Sequence, residues 1–84
     1  MFLHVRRVLH TNDYGLRVEF DNDEVRDVDL RGELYGEVFE PLQDPEFFKQ
    51  ARVNEETRTV EWPNGADFAP EFLYEIGKKV RQIA

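Results

Sequence analysis

Between two clusters of turn-forming residues, Thr11-Asn12-Asp13 and Asp21-Asn22-Asp23, the chain alternates without a break. Tyr14, Leu16, Val18 and Phe20 are apolar, and Gly15, Arg17 and Glu19 lie between them. A period of two puts each set on its own face of a strand, so this segment is a half-buried strand whose flanks reverse the chain. Neighbours are supplied by Phe2 to Leu9 and by Glu24 to Leu30, which makes an antiparallel β-meander. In the first of these, Arg6-Arg7 throws the alternation of Leu3 and Val5 out of phase with Val8, which predicts a bulge. In the last, Val28 and Leu30 share one face while Val25, Asp27 and Asp29 share the other, so the aspartates look towards solvent.

The middle of the chain is irregular. Leu34 and Val38 sit four apart, but Gly32, Gly36 and Pro41 oppose a helix there and predict a loose turn. Asp44-Pro45-Glu46 reads as an N-cap, a first-turn proline and an acid in the positive first turn, opening a short helix through Phe47, Phe48 and Gln50. A second hairpin runs from Ala51-Arg52-Val53 through Asn54-Glu55-Glu56 to Thr57–Trp62, with Val60 and Trp62 on a common face. Pro70 opens the last helix, whose apolar stripe is Phe72, Leu73, Ile76, Val80 and Ile83 and whose basic end is Lys78, Lys79 and Arg81. The fold class is therefore α+β, with residues 1–84 forming one small two-layer domain. It comprises a β-meander, a second hairpin, one short middle helix and a C-terminal helix packed on the sheet.

Composition removes whole function classes. The 84 residues contain no cysteine, which excludes disulfides, thiolate metal sites and cysteine nucleophiles and suits a reducing cytoplasm. There is no serine either, leaving Thr11, Thr57 and Thr59 as the only hydroxyl nucleophile candidates besides the tyrosines. Apolar runs are too short for a membrane span, and the charges of the first residues follow the apolar stretch, unlike a signal peptide. The expectation is a cytoplasmic protein that does not engage membranes. With 18 acidic and 11 basic residues the net charge is −7, which repels a polyanion, so no direct nucleic-acid binding is expected.

The remaining motifs are weak. A calcium loop counted from Asp21 needs glycine and glutamate where Arg26 and Gly32 stand, so Asp21-Asn22-Asp23-Glu24 reads as a solvated turn. His4 and His10 lie beside or on the first strand with no third ligand, so no metal and no cofactor are expected. A carboxylate enzyme using Asp21, Asp27, Asp29 or Asp67 requires a concave pocket that holds two of them apart in pKa. A DNA-touching regulator requires Arg6, Arg7, Arg17 and Arg26 to form one stripe, whereas pairing across the sheet with Glu19, Asp27 and Asp29 is the simpler role. The most distinctive segment is Trp62-Pro63-Asn64-Gly65-Ala66-Asp67. Pro63 ends the ladder, Asn64 and Gly65 reverse the chain, and Asp67 is placed to accept amides that enter the last helix. Trp62 either staples the core or stands at a binding surface. The candidate site, interaction or structural turn, is thus Trp62, Pro63, Asn64, Gly65 and Asp67, with no catalytic residues.

Phe20-Asp21-Asn22-Asp23-Glu24-Val25-Arg26, Val28-Asp29-Leu30, Val38 to Phe48 with its Pro-Leu-x-Asp-Pro-x-Phe-Phe order, and Val60 to Asp67 resemble the bacterial domain of unknown function family 2442. The resemblance implies a small α+β domain, found alone or joined to a helix-turn-helix, and often encoded beside another small domain in an arrangement like a toxin–antitoxin pair. No helix-turn-helix is expected in this chain, which ends after one C-terminal helix. Ala69 replaces the aspartate often found before the proline, which weakens the cap of the last helix. Together these readings predict a non-catalytic module for a small protein partner, or else a regulator that meets DNA through such a partner.

Overall fold

The computed structural model describes residues 2–80. Strand β1 (Val5–Asn12) pairs antiparallel with β2 (Gly15–Phe20), and β2 with β3 (Val25–Asp29). The register sets Val8 opposite Val18 and Leu16 opposite Val28, so the apolar set of the alternation shares one face. Leu16, Val18, Phe20 and Val28 are buried there. The expected bulge is present: Val5 faces Phe20 and Arg7 faces Glu19, leaving Arg6 as the extra residue. β1 starts and ends later than Phe2 to Leu9, because Thr11 and Asn12 extend the ladder to reach Gly15 instead of forming the turn.

Two 3-10 turns, Arg31–Glu33 and Glu40–Gln43, fill the irregular middle. Helix α1 (Pro45–Phe48) starts as the sequence predicts, with the Asp44 carboxylate accepting the Glu46 amide at 3.0 Å. β4 (Arg52–Val53) and β5 (Val60–Glu61) form a separate two-stranded sheet. Its connecting loop is tied by Asn54 Oδ1, which accepts the amides of Glu56 and Thr57.

The last helix is shorter than its apolar stripe predicts. Helix α2 (Pro70–Ile76) has no side-chain cap at Ala69, and Lys78–Lys79 form strand β6, which extends the first sheet in the order β1-β2-β3-β6. Two causes act together. A Cβ on Gly77 would lie 2.8 Å from the Leu73 carbonyl oxygen and 2.9 Å from Arg26 Cβ, so only glycine lets the chain run this close to β3. β3 then offers an open edge, and Val80 N donates to Val25 O at 2.9 Å. Val80 thereby leaves the stripe of Phe72, Leu73 and Ile76, and Lys79 and Lys78 face Arg26 and Asp27 across the ladder instead of closing a helix end. Arg81 and Ile83 lie outside the described residues.

α2 lies against β3, and the core beneath it is filled by Trp62, Phe20, Phe48, Leu16, Leu30 and Leu73, all fully buried. This is the two-layer α+β domain that the sequence predicts.

Candidate functional site

The turn after β5 is built from the backbone upward. Gly65 N donates to Trp62 O at 2.9 Å, and Gly65 takes φ +88°, a conformation closed to most side chains. Asn64 serves on both sides: its Oδ1 accepts the Ala66 amide at 3.1 Å, and its Nδ2 donates to Val38 O at 2.9 Å. The turn thereby clamps a loop that lies 26 residues earlier in the sequence. Pro63, Asn64, Gly65 and Asp67 are exposed, whereas Trp62 is completely buried and donates its indole N–H to Phe48 O at 2.8 Å. Trp62 is thus a core residue. The expected role of Asp67 is corrected: it bridges to Glu61 through its backbone, and among the described residues no amide entering α2 donates to its carboxylate.

From Trp62 a run of rings leads outward. Phe68 stands edge-on to it at 5.9 Å, and Phe39 and Phe72 stack on Phe68 at 4.8 and 5.6 Å. Phe39, Phe68 and Phe72 are half-buried and, with Glu33 and Tyr35, line a shallow groove of about 300 Å³. Tyr35 is 72% exposed and Val38 50% exposed, so this loop carries large apolar side chains into water on a braced backbone. The segments that build it carry charge of one sign. Residues 32–48 and 62–77 contain eight acidic residues and no lysine, arginine or histidine.

The sequence singles out the turn but not this groove. Its walls come from positions about thirty residues apart, which no local periodicity connects. The available signal was compositional: the same two segments hold eight of the eleven aromatic residues and none of the bases.

The other candidates are dispersed or neutralised. Arg7 and Arg17 lie on the outer face, while Arg26 points inward, pairing with Glu24 at 2.9 Å and lying 3.6 Å above the Tyr74 ring. Arg6 reaches Asp23 at 3.1 Å. The four arginines therefore make no continuous stripe among the described residues. Asp27 and Asp29 do share a groove, of about 470 Å³, with Arg17, Arg31 and Lys78. In it Arg17 grips Asp27 through two hydrogen bonds, at 2.8 and 3.1 Å, and this grip holds the Asp27 carboxyl below the usual range. Asp29 accepts the Arg31 amide at 3.0 Å. Asp21 accepts from His4 Nδ1 at 2.9 Å and from the His4 amide, which likewise lowers its pKa. His10 rests against the Phe48 ring at 5.9 Å. Among the described residues no three His, Cys, Asp or Glu side chains are grouped to hold a metal, and no helix is long and apolar enough to cross a membrane.

A family model described as "Protein of unknown function (DUF2442)" matches residues 5–79, in agreement with the resemblance read from the sequence. No curated protein matches the chain. The fold is similar to the crystal structure of "Putative DNA Binding Protein" from Nitrosomonas europaea, with a TM-score of 0.81 and 28% identity over 93% of this chain. This chain spans 50% of that protein's length.

Proposed function

This chain belongs to the DUF2442 family of proteins of unknown function, and we propose that it is a non-catalytic interaction module for a small protein partner. The observation that carries the reading is the aromatic groove. Tyr35 and Val38 stand in water on a loop pinned by Asn64, next to half-buried Phe39 and Phe72, which stack on Phe68, itself edge-on to Trp62. Large apolar side chains exposed on a rigid frame are what protein interfaces use as anchors. The sequence-defined turn, Trp62 to Asp67, enters this reading as the brace of the surface and not as the surface itself.

Carboxylate catalysis finds less support. It needs one acid kept protonated beside another kept ionised, and Asp27, which shares its groove with Asp29, is displaced towards the ionised form by Arg17. A second reading, in which the module meets DNA through its partner, is favoured by the name of the Nitrosomonas europaea protein, half of which this domain resembles. Its signature is a complex that shifts duplex DNA in a salt-dependent way while the isolated chain does not.

Site-directed photo-crosslinking in cells of the source organism tests the module. A benzophenone amino acid at position 35 is expected to trap one discrete adduct, and the same probe at the exposed position 57 is expected to trap none. Recovery of uncrosslinked chain alone from both positions would overturn the reading.

A further inference from the structure

We infer that the groove lined by Glu33, Tyr35, Phe39, Phe68 and Phe72 receives an arginine side chain from a basic segment of the protein partner. The inference deepens the module reading and rests on it. Two observations point to a guanidinium as the occupant.

The first is the fold's own use of arginine. Arg26 lies 3.6 Å above the Tyr74 ring and pairs with Glu24, whose other carboxylate oxygen accepts from the Tyr74 hydroxyl. Arg31 lies 5.2 Å above the Tyr14 ring and reaches Asp13 at 3.4 Å. In both places a ring face and a carboxylate hold one guanidinium, which the ring attracts through its quadrupole and the acid through its charge. The groove brings the same two residue types together: Tyr35, Phe39, Phe68 and Phe72 line it, and so does Glu33. Among the described residues no arginine lies over these rings.

The second observation is the charge of the surroundings. The two segments that build the groove carry eight acids and no base, although the chain as a whole has eleven lysines and arginines. The nearest base in the sequence, Arg31, is turned over the Tyr14 ring towards Asp13, so the excess negative charge of these segments favours an external cation. Arginine fits better than lysine because its planar, weakly hydrated head stacks on rings while donating to a carboxylate.

The test is an NMR titration of the whole chain with a synthetic peptide alternating arginine and glycine, against the same peptide with citrulline in place of arginine. The expected result is shifts confined to Glu33, Tyr35, Phe39, Phe68 and Phe72 with the arginine peptide and none with citrulline. Tyr35→Ala and Glu33→Gln, both at positions outside the buried core, should each weaken binding about two- to fivefold. Shifts that spread to Glu55 and Glu56 and survive both substitutions, or no binding at all, would overturn the inference. The two readings fail separately. A peptide that misses the groove while the position-35 adduct still forms removes the guanidinium site alone, whereas loss of the adduct with peptide binding intact removes the module alone.

Discussion

Replacing Trp62 with alanine tests the centre of this structure. The side chain is fully buried, touches Phe48 at a ring distance of 5.5 Å and Phe68 at 5.9 Å, and donates to Phe48 O. Burying a tryptophan removes about 150–250 Å² from water, roughly 4–6 kcal/mol at about 25 cal/mol per Å², and truncations of this kind cost about 3–5 kcal/mol. The lost hydrogen bond adds little, because Phe48 O also accepts the Ala51 amide at 3.2 Å and is not orphaned. An 84-residue domain has a total stability of about 4–13 kcal/mol, so Trp62→Ala should bring it close to unfolding. The assay is urea denaturation followed by circular dichroism, since the substitution removes the only tryptophan fluorophore. Trp62→Phe, which keeps most of the ring burial and deletes the indole N–H, is the control and should cost about 1–2 kcal/mol. The groove responds too, because Phe68 loses the ring that seats it. A Trp62→Ala variant whose unfolding free energy lies within about 0.5 kcal/mol of the parent would refute the reasoning, since no anchor of the core can be so cheaply removed.

Three further outcomes follow from the geometry. Gly77→Ala should cost about 1–3 kcal/mol and detach β6 from β3, because the new Cβ meets a backbone oxygen at 2.8 Å; unchanged hydrogen exchange at Val80 would contradict this. Gly65→Val has open space around its Cβ, so its penalty, about 1–3 kcal/mol in the same urea assay, comes from φ +88° alone, and Gly65→Asn should recover part of it. Acid should destabilise the fold through Asp21, Glu24 and Asp27, which are held below their ordinary values by His4, by Tyr74 with Arg26, and by Arg17 respectively. The folded state then binds fewer protons than the unfolded one. Their contribution is thus fully present above the usual carboxylate range and is lost as pH falls below about 4, and a melting temperature that rises on acidification through that range would disprove the assignment.

Local signals determined the elements whose causes are themselves local. The alternation from Tyr14 to Phe20 has one buried face whatever lies around it, the phase slip at Arg6-Arg7 leaves no solution but a bulge, and Asp44-Pro45-Glu46 caps α1 with its own side chain. The Asn64-Gly65 reversal is of the same kind, since glycine admits without strain the positive φ that the turn takes there. The fate of Lys78–Val80 is different. Their sequence continues an apolar stripe, and what ended the helix was the approach of Gly77 to β3 together with an unpaired strand edge, both of which exist only after the meander and α2 have packed. Trp62 likewise carried two readings until its neighbours were in place; packing buried it completely and left Tyr35 in water instead. The groove joins segments some thirty residues apart, and a juxtaposition of that span is decided by how the core closes, not by the periodicity of either segment.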